Sequence, residues 1–263
     1  MRTTLPHFLS ALALVAGLTA CTAVPTVAPA PAVAAPAPVA APPVADASLP
    51  APKTGNKRFF ELHESFLART KAGPIGLLFL GDSITEGWKK APHIWEHYYG
   101  AFQPANFGIS GDQTQHVIWR IENGELDGIT PKVVVLMIGT NNTSQHTAAQ
   151  IAAADRRIVQ MLRTRLPAAK VLLLAIFPRG LDKNKDGTID PRPRRMEIIN
   201  AVNPELAKLD DGRMVRFLDI NANFLGNDGT IPRGIMPDQL HPSAAGYQLW
   251  AEAIQPLLQE MMK

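Results

Sequence analysis

The chain has 263 residues, 46% of them hydrophobic and 19% charged, which is enough apolar material for a sizeable core and excludes wholesale disorder. Its net charge of +3 comes from 26 basic and 23 acidic residues with no long run of like charges, which argues against nucleic acid as a partner. A single cysteine excludes a disulfide framework and a cysteine-based zinc cluster, and the only long apolar stretch is N-terminal, so a multi-span membrane protein is excluded too.

Residues 1–20 carry Arg2 and then an apolar core from Phe8 to Leu18, short for a bilayer span and suited to a secretory signal. The core ends Leu18-Thr19-Ala20-Cys21, which resembles a bacterial lipobox, where the signal is cut before a cysteine that is then lipidated. That resemblance implies an exported chain held at the cell envelope through Cys21. Thr22, where an Asp would retain such a protein in the inner membrane, implies the outer membrane of a cell that has two. Residues 22–52 hold 12 Ala and 9 Pro with Asp46 as the only charge, a composition that favours extended polyproline over a core. The expected division is a signal at 1–20, a tether at 21–54 and a folded domain at 55–263. At about 3.1 Å per residue, residues 22–52 reach at most roughly 95 Å.

The folded part alternates two patterns. Residues 56–71 place Phe59, Phe60, Leu62, Phe66 and Leu67 at near-helical spacing. Short apolar runs at Ile75–Leu80, Ala105–Gly108, Val133–Ile138, Val171–Phe177 and Met214–Ile220 suit strands buried on both faces of a parallel sheet. Helices are predicted between them at 113–123, 147–166 and 194–209, with a last one from Ser243 to Met262. Alternating strands and helices predict an α/β fold, in which ligands bind beyond the carboxyl ends of the strands. Polar blocks stand at those ends. Gly81-Asp82-Ser83-Ile84-Thr85 follows the first strand, and Asn106-Phe107-Gly108-Ile109-Ser110-Gly111-Asp112 spans the end of the second. Gly139-Thr140-Asn141-Asn142 follows the third, and Pro237-Asp238-Gln239-Leu240-His241 precedes the last helix.

Together, in this order, the four blocks resemble those of the SGNH (GDSL-type) hydrolase family over about residues 75–250. The stretches Asn106–Arg120 and Asn123–Asn142 are similar to the subgroup that contains the catalytic subunits of the intracellular platelet-activating-factor acetylhydrolase. The resemblance implies a three-layer α/β/α sandwich around a parallel five-stranded sheet. It implies Ser83 as nucleophile, His241 as general base and then acid, and Asp238 as the carboxylate that orients the imidazole. It places the oxyanion hole at the backbone N–H groups of Ser83 and Gly111 and the side-chain amide of Asn141. Chemistry of this kind needs no metal or cofactor. The expected activity is hydrolysis of short-chain, above all acetyl, carboxylic esters, with an O-acetylated carbohydrate as the preferred alcohol side and lipid-like or small aryl esters as alternatives. The related subunits associate with one another, so a second copy of the chain stays open as a partner.

Weaker signals carry competing readings. Asn142 is a turn cap or a substrate contact, and Asp82 and Asp112, beside glycine turns, are read as bonding local N–H groups. His93-Ile94-Trp95-Glu96-His97 matches the H-x-x-E-H zinc pattern, against an ordinary short amphipathic helix. Asp182, Asn184, Asp186 and Asp190 are spaced like ligands of a calcium loop, but Pro193 stands where the bidentate glutamate belongs. Trp88, Trp95, Phe177 and Arg179 are core or pocket lining, and Arg192, Arg194 and Arg195 are a solvated surface or an acidic-glycan contact. A catalytically silent glycan- or partner-binding lipoprotein is the reading from another class.

Overall fold

The computed structural model describes residues 46–181 and 186–263, which belong to one compact unit, Pro43–Lys263. Five strands form a single parallel sheet in the order β2-β1-β3-β4-β5: β1 (Leu77–Gly81), β2 (Pro104–Gly108), β3 (Val133–Met137), β4 (Lys170–Leu174) and β5 (Val215–Leu218). Seven α-helices connect and flank them: α1 (Lys57–Lys71), α2 (Ser83–Glu86), α3 (Pro92–Tyr99), α4 (Thr114–Glu122), α5 (Ala148–Arg165), α6 (Arg194–Ala207) and α7 (Ala244–Met262). The α/β sandwich expected from the sequence is the one observed.

Strand periodicity explains the layers. Leu78, Leu80, Val134, Leu136, Val171 and Leu173 point to one face, where they join α1, α4, α5 and α6 through Phe66, Ile118, Ile158 and Val202. Leu77, Phe79, Val133, Val135, Leu172 and Leu174 point to the other, against Ile94 and Tyr99 of α3 and Trp250, Ile254 and Leu258 of α7. With both faces covered, β1 and β3 are buried at every position. The order places the reversal of winding between β1 and β3, where a doubly wound sheet opens a crevice at its carboxyl edge.

The helix starts follow local chemistry. Asn56 caps α1 by accepting from the Phe59 N–H at 3.0 Å. Thr147 and Gln150 form a reciprocal capping box at the start of α5, and Ser243 caps α7. Several boundaries differ from expectation. The fourth and fifth strands stop at Leu174 and Leu218 and not at Phe177 and Ile220: the Ala175 N–H still donates to the Leu218 carbonyl at 3.0 Å, and Ala175–Phe177 stay buried beyond the paired strands. The folded part starts before residue 55. Ala47 is fully buried, its carbonyl accepts from Thr114 Oγ1 at 2.9 Å, and Ala51 N–H donates to the Gln115 carbonyl at 3.1 Å. Composition missed this because the segment is held by backbone bonds, one small side chain and the ammonium of Lys53, not by large apolar residues. The signal, Cys21 and most of the tether lie outside the described residues.

Candidate active site

Ser83 opens α2 directly after β1. Its neighbour Asp82 is the helix N-cap, accepting from the Ile84 N–H at 2.9 Å. At this junction a Cβ on Gly81 would meet Thr85 Oγ1 and the Met137 carbonyl, so only glycine lets the strand end turn here. Far along the chain, the segment before α7 brings His241 alongside, with Nε2 2.9 Å from Ser83 Oγ. Asp238 reaches the other ring nitrogen: its Oδ2 lies 2.6 Å from Nδ1, while its Oδ1 accepts from the His241 N–H at 2.7 Å and the Leu240 N–H at 3.1 Å. Burial pushes the Asp238 carboxyl up, but these bonds and the imidazole outweigh it and hold it below the usual carboxylate range. The arrangement is a hydroxyl, an imidazole and a carboxylate in one hydrogen-bonded line.

The Asp-x-x-His turn is itself braced. Gln239 sits at φ +64, an unusual conformation for a side-chain-bearing residue. It is held there by its amide, which donates to the Ile231 carbonyl at 3.0 Å, and by its own carbonyl, which accepts from the Gly180 N–H at 2.7 Å. Gly180 allows that approach because a Cβ would collide with the Gln239 side chain. Gln239 was not anticipated from sequence; a residue between two motif positions carries no signal of its backbone angle.

Gly111 lies on the turn after β2 at φ +72, which glycine adopts without strain. Asn141 stands in the 3₁₀ turn Thr140–Ser144 after β3. Its Nδ2 donates to the Asp112 carbonyl at 2.8 Å and lies 3.4 Å from Asp82 Oδ2, and its backbone carbonyl accepts from Gln113 Nε2 at 3.1 Å. The loops after β1, β2 and β3 are thus tied to one another around Ser83. Asn142 is fully buried, and its amide bonds Thr114 and Gln115, so it joins the loops and stands away from the cleft.

Beneath the site runs a buried charge network that the sequence did not reveal. Arg120 of α4 is fully buried. Its Nε donates to Asp112 Oδ2 at 3.0 Å, and its other nitrogens bond Glu125 and the carbonyls of Phe107 (3.1 Å) and Gly81 (3.3 Å). Arg120 therefore clamps the ends of β1 and β2 that carry Ser83 and Gly111. Asp112 is pushed up by burial against the pull of Arg120 and Lys53, and Asp82 is pushed up to about 7, mainly by burial.

A cleft of about 470 Å³ opens over Ser83 and His241, walled by Arg58, Glu86, Lys89, Lys90 and Ser110. Glu86 bonds Arg58 and Lys89 and accepts from the Ser110 N–H at 2.8 Å. Most of the side chains that line it are charged or polar.

The weaker candidates fall elsewhere. Trp88 and Phe177 are each 1% exposed and belong to the core on the α3 and α7 face, where Trp95 packs beside them. Arg179 reaches Thr140 Oγ1 at 3.4 Å. His93 and His97 are exposed on α3, and no group of three His, Cys, Asp or Glu is gathered for a metal among the described residues. Asp182 and Asn184 lie outside the described residues; Asp186 bonds Thr188, and Asp190 holds the Arg192 guanidinium at 2.7 and 2.8 Å. Arg194 and Arg195 line a separate cleft with His146 and Asp190.

The model of the GDSL-like Lipase/Acylhydrolase family matches residues 79–249. The platelet-activating factor acetylhydrolase IB subunit alpha1 of Bos taurus is 37% identical over 220 residues, covering 82% of this chain and 90% of that protein. The alpha2 subunit of Rattus norvegicus is 34% identical over 209 residues, covering 80% and 87%. Among solved structures, a GDSL-like lipase from Bacteroides thetaiotaomicron shares the fold at a TM-score of 0.60 and 18% identity, over 75% of this chain and 97% of that one.

Proposed function

The chain belongs to the GDSL-like lipase/acylhydrolase family and is a carboxylic ester hydrolase, and from that premise we propose that it is a serine esterase for short acyl, above all acetyl, esters. The observation that carries the mechanism is the line Ser83–His241–Asp238, at 2.9 and 2.6 Å, opening into a cleft lined by charged and polar side chains. His241 Nε2 takes the Ser83 hydroxyl proton as Oγ attacks the ester carbonyl carbon. The negative charge that forms on the carbonyl oxygen is met by the backbone N–H groups of Ser83 and Gly111 and by Asn141 Nδ2, which keeps its bond to the Asp112 carbonyl and exchanges the long 3.4 Å contact with Asp82 Oδ2 for the oxyanion. The imidazolium, stabilised by Asp238, returns the proton to the departing alcohol. Water, activated by the same imidazole, then releases the acid from Ser83.

The cleft walls support a short acyl group, because a long chain would lie along charged side chains. The names of the relatives, acetylhydrolases, support acetyl. For the alcohol side, we place an O-acetylated carbohydrate first, on the strength of the signal-like N-terminal sequence, with a lipid-like ester second, on the strength of those relatives. The lipobox-like motif supports anchoring at the envelope through Cys21.

The test is hydrolysis of p-nitrophenyl acetate, butyrate and octanoate by the purified protein beside Ser83→Ala. Acetate should turn over fastest, and Ser83→Ala should lose at least about a thousandfold in kcat. A Ser83→Ala variant that retains the rate overturns the assignment, and fastest turnover of octanoate overturns the short-acyl reading.

A further inference from the structure

We infer that Lys53, on the segment leading into α1, is a positioning residue that aims the Gly111 N–H into the oxyanion site. The inference rests on the reading of Gly111 as an oxyanion donor. Lys53 lies in the segment expected from composition to be tether. Lys53 Nζ donates to the Ser110 carbonyl at 2.7 Å and forms an ion pair with Asp112 Oδ1, also at 2.7 Å. The two partners flank Gly111 on either side, so one ammonium brackets the whole turn. Its side chain is only 12% exposed and that of Asp112 is fully buried, which removes most of the water that would weaken such a pair.

Peptide geometry makes this bond directional. The unit joining Ser110 to Gly111 is planar and trans, so its C=O and N–H point in opposite directions. Fixing the Ser110 oxygen on Lys53 therefore fixes the Gly111 N–H, pointing away from Lys53. An ammonium on the carbonyl oxygen also polarises the peptide and strengthens its N–H as a donor. Gly111 itself has no side chain to hold the turn, and at φ +72 its backbone has wide freedom. The preceding peptide is pinned separately, by the Ser110 N–H on Glu86 Oε2 at 2.8 Å. Lys53 is thus the restraint specific to the donor peptide.

Lys53 is itself held in place. Upstream of it, the Ala47 carbonyl accepts from Thr114 Oγ1 at 2.9 Å and the Ser48 carbonyl from Arg157 Nη1 at 2.8 Å. Ala51 N–H reaches the Gln115 carbonyl at 3.1 Å. These bonds strap residues 47–53 across the start of α4, directly behind the turn. A chain cut at residue 55 would lose the strap and the ammonium together.

The experiment uses the full chain with Lys53→Met, Lys53→Gln and Lys53→Arg, and Ser83→Ala as reference. Three quantities are read: kcat and KM on p-nitrophenyl acetate, inhibition by phenylboronic acid, which forms a tetrahedral adduct on a reactive serine, and thermal midpoint. For Lys53→Met, kcat should fall about 10- to 100-fold with KM unchanged, and boronate affinity should fall in parallel. Lys53→Arg should restore most of both. Lys53→Gln carries the Lys53→Met expectation and takes its place where that variant is not folded. A lower thermal midpoint with kcat and boronate affinity at wild-type level overturns the inference, as does a loss confined to KM. Those results leave the reading of the site intact as long as Ser83→Ala is inactive; an active Ser83→Ala overturns that reading instead.

Discussion

Asp82 is a fully buried carboxylate one residue before the proposed nucleophile. Burial is the largest influence on it and favours the protonated form; the nearby Asp112 adds to this, while the Ile84 N–H, Lys53 and Arg179 oppose it, leaving a pKa of about 7. An unfolded aspartate titrates near about 3.9, so the folded state holds a proton that the unfolded state releases between roughly pH 4 and pH 7. The sign follows: this residue costs no stability below about pH 4, and an increasing amount as pH rises to about 7. Asp82→Asn keeps the cap oxygen for Ile84 and cannot ionise. Its thermal midpoint relative to wild type should therefore climb as pH is raised from about 5 to about 8. A difference that stays flat over that range would mean Asp82 is not protonated in the folded protein. Asp238 shows the opposite balance a short distance away, because its N–H partners and the imidazole favour the ionised form. Two aspartates near one another are thus shifted in opposite directions by their surroundings.

The helices work as supports for loops. α2 is only four residues long, and it is fixed from the opposite end of the chain: the buried Tyr247 of α7 donates its hydroxyl to the Ile84 carbonyl at 2.7 Å. A Cβ on Gly87 would strike that hydroxyl, so the glycine admits the contact. Tyr247→Phe should lower unfolding free energy by about 1–3 kcal/mol, since it strands a buried carbonyl, and urea denaturation with an unchanged m-value would read it. An unchanged midpoint would show that the carbonyl finds another donor. α4 supports the second loop through Arg120, whose guanidinium holds the carbonyls of Gly81 and Phe107 at the ends of two neighbouring strands. Removing one partner from this buried network would leave an uncompensated charge, a far larger penalty than losing a surface pair.

For the molecule as a whole, the compact unit begins at Pro43, twelve residues before the composition change that marked the expected boundary. No helix among the described residues is long and apolar enough to cross a membrane. Envelope attachment through Cys21 is a proposal drawn from the lipobox-like motif, and it is direct to test. Expressed in a bacterium with two membranes, the wild-type chain should fractionate with membranes and take up labelled palmitate, and Cys21→Ala should do neither. A wild-type chain recovered unlabelled in the soluble fraction would remove the anchor. One acyl chain binds a membrane only reversibly, so stable retention also requires more than one chain on the cysteine.

The sequence by itself determined the sheet. Runs such as Leu77–Leu80 and Val133–Met137 are apolar at every position, too short for a buried helix and suited to a strand covered on both faces. It also determined where to look for chemistry, because the motif residues Ser83, Gly111 and Asn141 stand at the ends of those runs, and a parallel sheet opens its crevice there. What it could not supply was anything carried by backbone direction or by distant pairing. The strap at 46–53 reads as more Ala/Pro tether, yet it is bonded through carbonyls and one lysine to a turn nearly sixty residues away. Residue identity does not mark Arg120 as buried, and only the approach of two strand ends makes it a clamp. The left-handed angle of Gln239 leaves no trace in residue identity. Local pattern records burial and propensity, which each residue expresses alone; the tertiary structure decided which peptide faces which charge, and that depends on two places in the chain at once.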